Sequence, residues 1–214
     1  MEEYSVYNDI SKRTNGEFYL GVCGPVRTGK STFIKKFMEM FVLPGIRDEN
    51  DRKRAMDELP QSAEGKTIMT TEPKFIPKEA VKINLFEGND IKVRMVDCVG
   101  YIVEDAGGLM EGERERMVMT PWSEEPMPFA KAAEYGTKKV IHDHSTIGIV
   151  ITTDGSFGDI SRQSYKAAED KTISELKSIG KPFIVIVNSA NPFGEKAKDV
   201  INEIKERTGV TPVA

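Results

Sequence analysis

One run of the chain has the pattern G-x-x-x-x-G-K-[ST], which sets two glycines, a lysine and a hydroxyl residue at fixed spacing. Glycines in such a run let successive backbone N–H groups point at phosphate oxygens, and the start of the following helix adds a positive dipole. The lysine reaches the β- and γ-phosphates, and the hydroxyl binds Mg²⁺. The pattern therefore predicts a loop that binds a nucleoside triphosphate. Its candidate contacts are Gly24, Pro25, Val26, Arg27, Thr28, Gly29, Lys30, Ser31 and Thr32.

A second short pattern, D-x-x-G, follows an apolar stretch further along the chain and consists of Asp97 and Gly100. In phosphate-loop enzymes an aspartate at a strand end holds Mg²⁺, usually through water, and the glycine can offer its N–H to the γ-phosphate. Aspartate and glycine are also ordinary turn residues, so the pattern alone is weak evidence. Its position at a strand end favours a Mg²⁺ role for Asp97 and a phosphate contact for Gly100.

A pair of threonines, Thr70 and Thr71, lies between the phosphate loop and Asp97. A loop there can bring a threonine hydroxyl to Mg²⁺ and order itself only around a triphosphate. The alternative is a β-prone stretch that leads into a strand. We prefer the sensor interpretation and do not choose between the two threonines. Together with Lys30 and Asp97 they form the predicted catalytic set, and with Ser31 and Asp97 they form the predicted Mg²⁺ ligands.

The residue after D-x-x-G is Tyr101, whereas many signalling GTPases have a glutamine there that orients the attacking water. Without that glutamine the isolated chain is expected to hydrolyse nucleotide slowly. Gln61, Arg27 or a residue from a neighbouring subunit could complete the site. Slow turnover suits a switch or an assembly protein better than a metabolic enzyme.

The base-recognition position is expected after a buried strand, at Asn188 and Ser189, followed by Asn191. Guanine-specific members of the phosphate-loop class carry N-K-x-D there. Here serine replaces the lysine, and asparagine replaces the aspartate whose carboxylate accepts the guanine N–H groups. The loss of that carboxylate removes the main physical basis for choosing GTP. Adenine is therefore the expected base.

Two further clusters of polar residues invite a functional interpretation. His142, Asp143 and His144 could suggest a metal site, but two histidines without a nearby cysteine are better explained as the solvated end of a helix. Asp154 follows a predicted parallel strand at the ligand-binding end of the sheet. It could contact the nucleotide or make a turn, and the sequence favours neither.

The elements that must position these residues alternate between strands and helices. The pattern predicts an α/β fold with a mainly parallel sheet, helices on both faces and one antiparallel edge strand. We expect residues 47–66 to form a long charged loop and residues 101–130 to form an irregular insertion that could act as a lid. Predicted strands cover residues 18–23, 81–85, 91–96, 146–151 and 183–187, and predicted helices begin near 30, 129, 165 and 200.

Bulk properties limit the possible functions. The net charge of −4 gives no reason to expect nucleic acid as a partner. Cys23 and Cys98 each end an apolar run and are predicted to be free core thiols in a reducing compartment. No apolar run is long enough to span a membrane and no signal peptide is evident, so we expect a cytoplasmic protein. Residues 1–214 are expected to form one domain, the N-terminal part of a longer protein.

Several segments, spread over almost the whole chain, share one family's pattern more specifically than a phosphate loop alone. On these segments the chain resembles stage IV sporulation protein A. They are residues 24–39, 57–62, 65–75, 96–101, 144–148, 150–155 and 180–183.

The resemblance implies a phosphate-loop ATPase with a fold similar to translation-factor-type GTPases. It implies that ATP hydrolysis drives irreversible self-assembly into the layer at the base of the bacterial spore coat, in the mother cell at the outer surface of the forespore. It also implies a small amphipathic membrane-associated partner and other coat proteins, bound through regions absent here. Lys30, Asp97 and the Thr70–Thr71 pair match the Walker A, Walker B and sensor positions. The alternative is a nucleotide-binding scaffold or GTPase-like switch with incidental hydrolysis.

Overall fold

The computed structural model describes residues 14, 16–60, 72–86 and 89–214. Its strands are β1 (Glu17–Cys23), β2 (Lys74–Phe86), β3 (Asn89–Asp97), β4 (Met110–Glu111), β5 (Arg114–Glu115), β6 (Met117–Thr120), β7 (Ser123–Pro128), β8 (Ile147–Thr153) and β9 (Phe183–Asn188). Its α-helices are α1 (Lys30–Phe37), α2 (Glu49–Asp57), α3 (Phe129–Lys139), α4 (Arg162–Ser178) and α5 (Glu195–Thr208). Turns of π-helix at Met38–Val42 and Val140–His144 extend α1 and α3, and a 3₁₀ turn covers Leu43–Gly45.

Among the described residues, the central sheet has five strands in the order β2-β3-β1-β8-β9. β1 lies parallel to both β3 and β8, and β8 lies parallel to β9. β2 pairs with β3 in the antiparallel direction at the edge of the sheet. The predicted mixed α/β fold with a mainly parallel sheet is therefore confirmed. Because parallel strands share a direction, the carboxyl ends of β1, β3, β8 and β9 meet along one edge, where the candidate site residues lie.

Helices cover both faces of the sheet. On one face, α1 and its π-helical turn bury Ile34, Met38 and Val42 against strand residues that include Val22, Met95 and Ile151. On the other face, α3, α4 and α5 pack on a second cluster that includes Val96, Val150, Tyr165, Leu176, Val185 and Ile204. Adjacent residues of β8 alternate between the two clusters because successive strand side chains point to opposite faces. Cys23 and Cys98 are free, buried thiols in the second cluster, as predicted.

The charged stretch after α1 is more regular than expected. Residues 49–57 form α2, whereas the sequence analysis predicts a long loop over 47–66. The Asp48 side chain accepts hydrogen bonds from the backbone N–H groups of Asn50 and Asp51, which satisfies two donors at the start of the helix. Lys53 and Glu49 form an ion pair at 3.4 Å one turn apart. Capping and charge pairing stabilise a helix that lacks an apolar stripe, so hydrophobic periodicity does not reveal it.

The insertion after Tyr101 is also ordered. It contains two small antiparallel hairpins, β4–β5 and β6–β7, where an irregular loop was predicted. These strands are short and β7 contains prolines, so their sequence lacks the alternation that identifies longer strands. The second hairpin is held against α3 by side chains. The rings of Trp122 and Tyr135 lie 5.4 Å apart, and the Arg116 guanidinium lies 4.7 Å from the centre of the Phe129 ring.

Candidate nucleotide-binding site

The predicted phosphate loop connects the end of β1 to the start of α1. It occupies the carboxyl edge of the sheet, and the strand, loop and helix follow one another as the sequence predicts. At Gly24 the backbone has φ +122°, and a side-chain carbon would lie 2.4 Å from the Ile151 carbonyl oxygen of β8. Only glycine allows β1 to turn away this close to its neighbouring strand.

The Lys30 side chain is buried beneath the loop. The residue is 5% exposed, and its Nζ donates a hydrogen bond of 2.6 Å to the carbonyl oxygen of Pro25. A phosphate-binding lysine is ordinarily expected to be exposed, but here the D-x-x-G segment packs over the Lys30 side chain. Burial lowers the pKa of Lys30. A buried ammonium with a single carbonyl acceptor is stabilised when an anion enters, and a polyphosphate on this loop is such an anion.

Ser31 and Asp97 place oxygen atoms side by side below the loop. The Ser31 hydroxyl donates to Asp97 Oδ2 at 3.1 Å. Asp97 as a residue is partly exposed, but its Oδ1 has no water-accessible surface and no hydrogen-bond partner. Burial raises the pKa of Asp97, and the nearby Lys30 charge opposes that rise. A serine hydroxyl beside an unpaired carboxylate oxygen fits Mg²⁺, which prefers oxygen ligands. The Mg²⁺ roles of Ser31 and Asp97 stay predictions.

Gly100 lies against the phosphate loop but its amide already has a partner. The Gly100 N–H donates to the Thr137 hydroxyl of α3 at 3.1 Å, and that hydroxyl donates in turn to the Ala133 carbonyl at 2.8 Å. Gly100 has φ +96°, and a side-chain carbon there would lie 2.6 Å from Lys30 Nζ. The predicted contact between Gly100 and a γ-phosphate requires this N–H to leave Thr137. The contact between Thr137 and Gly100 is not predictable from the sequence, because a threonine inside a helix belongs to no motif.

The Tyr101 side chain is held by α4. Its backbone joins the loop through two hydrogen bonds, from Tyr101 N–H to the Gly24 carbonyl at 3.1 Å and from Val26 N–H to the Tyr101 carbonyl at 2.9 Å. Its hydroxyl donates to Glu175 of α4, and Lys171 lies 4.8 Å from the ring centre. In this arrangement the side chain at the expected glutamine position is engaged by α4 and is not available to orient water.

The predicted base-recognition residues lie at the end of β9. The Asn188 side chain donates to the Thr28 carbonyl at 3.1 Å, which ties this strand end to the phosphate loop. The Ser189 hydroxyl donates to Asp154 Oδ2 at 2.5 Å, and Asp154 also accepts from the Ser156 N–H at 2.8 Å. Asp154 therefore makes a turn and holds Ser189, which matches its turn interpretation. Asn191 is exposed.

The histidine cluster lies at the end of α3, away from the loop. His142 Nε2 is 3.3 Å from Glu175, and Asp143 forms an ion pair with Lys139 at 3.0 Å. In the parts of the chain that the structure describes, no group of three histidine, cysteine or acidic residues could hold a metal ion. Thr70, Thr71 and Gln61 lie outside the described residues.

Comparison with known proteins identifies the family of this chain. The family model described as "Stage IV sporulation protein A, ATPase domain" matches residues 1–214. The chain belongs to this family. It is 55% identical over 214 residues to Stage IV sporulation protein A of Bacillus subtilis (strain 168). The match covers 100% of this chain and 44% of that relative. The Bacillus anthracis protein of the same name is 53% identical over 214 residues, with the same coverage. That of Clostridioides difficile (strain 630) is 57% identical over 203 residues, 95% of this chain and 41% of that relative.

Membership of the stage IV sporulation protein A ATPase-domain family identifies the chain as an ATPase domain associated with sporulation, with ATP as its substrate. The chain spans less than half the length of the curated relatives it matches. Among the described residues, no helix combines the length and the apolar character that crossing a membrane requires.

Proposed function

We propose that this chain is a Mg²⁺-dependent phosphate-loop ATPase of translation-factor-like fold, and that its hydrolysis of ATP drives self-assembly of a structural polymer at the base of the spore coat. The observation that carries the nucleotide part is the buried Lys30 ammonium beside the Ser31–Asp97 oxygen pair. The Lys30 ammonium bonds to a carbonyl oxygen rather than to an anion, and Asp97 Oδ1 accepts no hydrogen bond. Triphosphate and Mg²⁺ complete both.

In this proposal each residue has a defined task. Lys30 and the loop amides would hold the β- and γ-phosphates, while Ser31 and Asp97 would hold Mg²⁺. When bound, Mg²⁺ supplies neutralisation of the phosphate charge. Gly100 exchanges Thr137 for the γ-phosphate as its hydrogen-bond partner, which makes the D-x-x-G segment sensitive to the state of the nucleotide. Water then attacks the γ-phosphoryl group, and ATP and water become ADP and phosphate.

The proposal also covers the base and the rate. Asn191 stands where a guanine-reading aspartate is expected, which supports adenine as the base. Tyr101 is held by Glu175, so no glutamine-like side chain orients water from this position, and turnover is slow. A slow single hydrolysis event per subunit suits a step that commits a subunit to a polymer. The surface for that polymer is supplied by copies of the same chain, at the outer surface of the forespore in the mother cell.

The test separates assembly driven by hydrolysis from a scaffold that only binds nucleotide. In a protein of the relatives' full length, Thr70→Ala combined with Thr71→Ala is expected to retain ATP binding within a few-fold. It is expected to lose hydrolysis, because the sensor threonines contact Mg²⁺ only around a triphosphate. Ultracentrifugation measures pelleted protein with ATP, with a nonhydrolysable analogue and without nucleotide.

The matched control is Thr208→Ala, which removes a hydroxyl that is bonded to the end of α5. Wild type and this control are expected to pellet with ATP only. If wild type pellets as well with the analogue, or if the double variant pellets with ATP, hydrolysis does not license assembly. The chain is then a nucleotide-binding scaffold or switch.

A further inference from the structure

Arg27 has an unusual backbone conformation for its residue type. Its φ is +59°, and among the described residues it is the one non-glycine residue with a positive φ. A side chain in the left-handed region is strained, and glycine, asparagine or aspartate usually occupies such positions. Arginine has neither the small size nor the short polar group that relieves this strain. Strained conformations of this kind cluster at functional sites, where the surrounding structure maintains them.

One nitrogen of the Arg27 guanidinium lacks a hydrogen-bond partner, although the residue as a whole is partly exposed. Its Nη2 is inaccessible to water and has no hydrogen-bond partner. No acidic side chain in the described ranges forms an ion pair with Arg27. Burial raises the pKa of Tyr165 on α4, and the positive charge of Arg27 opposes that rise. An enclosed guanidinium N–H without an acceptor is costly and indicates that an acceptor is missing.

The chemistry of hydrolysis supplies that acceptor. Negative charge on the transferring phosphoryl group must be stabilised, and an arginine carried in cis or donated in trans does this in related phosphate-loop enzymes. Arg27 lies inside the loop that cradles the phosphates, between Val26 and Thr28. Its planar fork can bind two phosphate oxygens at once, which the Lys30 ammonium cannot do. The Tyr101 side chain, engaged by Glu175, makes no such contribution.

We propose that Arg27 is a catalytic residue whose guanidinium contacts the γ-phosphoryl oxygens and stabilises the charge that develops on them during ATP hydrolysis. This role of Arg27 rests on the proposed binding of ATP to residues 24–31. No covalent bond to Arg27 forms, and no proton leaves it. Water still provides the attacking oxygen, and ADP is the leaving group. The chain thus carries in its own phosphate loop a cation that other members of the class receive from a partner protein.

Arg27→Gly tests the proposal because it removes the guanidinium and relieves the backbone strain together. Glycine adopts a positive φ without cost, so the unfolding midpoint is expected to equal or exceed that of wild type. The rate constant kcat is expected to fall at least about 100-fold, since arginines in this role contribute about 10³–10⁵ in kcat. Affinity for ADP with tetrafluoroaluminate, which resembles the transition state, should fall by a similar factor, while affinity for ADP alone changes less than about threefold.

Two further variants sharpen the result. Arg27→Lys keeps the charge but loses the fork, so it is expected to restore only part of the rate. Arg47→Gly makes the same chemical change at an exposed loop position and is expected to leave kcat unchanged. A merely structural role for Arg27 predicts altered stability with equal losses for ADP and for the transition-state analogue.

The outcomes distinguish this inference from the proposed function. If wild type and Arg27→Gly both bind ATP and hydrolyse it at the same rate, the catalytic role of Arg27 is wrong and the ATPase assignment stands. If Lys30→Ala binds ATP as tightly as wild type in calorimetry, the loop is not the nucleotide site and the proposed function fails first. A lower kcat with unchanged affinity for the transition-state analogue also overturns the role of Arg27.

Discussion

The two ends of the candidate site are built in different ways. At the phosphate end, Lys30 is 5% exposed, and Asp97 has an enclosed carboxylate oxygen. At the proposed base end, just after β9, Asn191 is exposed. The phosphate end depends on buried charges and on backbone that β8 and the D-x-x-G segment hold in place. The base end depends on a few side chains at the surface of the strand end.

This difference predicts how affinity is distributed. Charges in a buried environment interact strongly with a ligand. Exposed polar groups already bond to water, so they gain little net binding free energy when a ligand replaces that water. Affinity and hydrolysis should therefore depend mostly on the phosphate end, and the choice of base should rest on small energies. Three substitutions test this distribution, in decreasing order of expected effect.

Lys30→Ala should have the largest effect. We expect ATP affinity in calorimetry to fall at least about 100-fold, which corresponds to about 2.7 kcal/mol, because a buried ammonium loses its contact with the phosphates. The free energy of unfolding without nucleotide should stay unchanged or rise, since the variant removes a buried cation whose pKa is lowered by burial. The control is Lys36→Ala, whose side chain is 67% exposed. Equal ATP affinity for Lys30→Ala and wild type would show that the loop is not the nucleotide site.

Asp97→Asn should have an intermediate effect on binding and a larger one on turnover. Hydrolysis is expected to fall at least about tenfold more than ATP affinity, because the amide is a poor Mg²⁺ ligand. Asp199→Asn, an exposed acid on α5, is the matched control. If turnover of Asp97→Asn equals that of wild type with saturating Mg²⁺, Asp97 does not belong to the site.

The stability of Asp97→Asn relative to wild type should depend on pH. Because burial raises the pKa of Asp97 in the folded state, ionisation of this carboxyl destabilises the fold. With EDTA and no nucleotide, Asp97→Asn should therefore be more stable than wild type at neutral pH. The advantage should shrink as pH falls through the raised pKa toward the ordinary aspartate value, where wild type carries a neutral carboxyl. Urea unfolding at several pH values measures it, and an advantage that grows with acidity contradicts the prediction.

The choice of base should show the smallest effect. We expect wild type to bind ATP more tightly than GTP, and Asn191→Asp to move the ratio toward GTP by no more than about tenfold, or 1.4 kcal/mol. A carboxylate at this exposed position accepts the guanine N–H groups but remains solvated. Competition with a fluorescent ATP analogue measures both ratios. Wild type that prefers GTP tenfold or more refutes adenine as the base.

Sequence reasoning is most successful where a local pattern decides the structure. The strand, loop and helix around residues 24–31, the antiparallel edge strand and the buried cysteines all follow from motif and periodicity. Prediction fails where long-range packing or capping decides. Helix α2 depends on its Asp48 cap, and the burial of Lys30 depends on Gly100 lying over it. Thr137 meets Gly100 only because α3 packs beside the phosphate loop.

The central position of β1 has a consequence for how the protein is made. Tyr19 of β1 forms hydrogen bonds with Thr146, 127 residues later in the chain, just before β8. A ribosome adds about 5–20 residues per second, so roughly 6–25 s separate the synthesis of these two neighbours. During that interval β1 and the phosphate loop lack the strand that holds Gly24 in its turn. A nascent chain that lacks β8 has therefore not yet assembled the edge of the sheet on which the candidate phosphate loop lies.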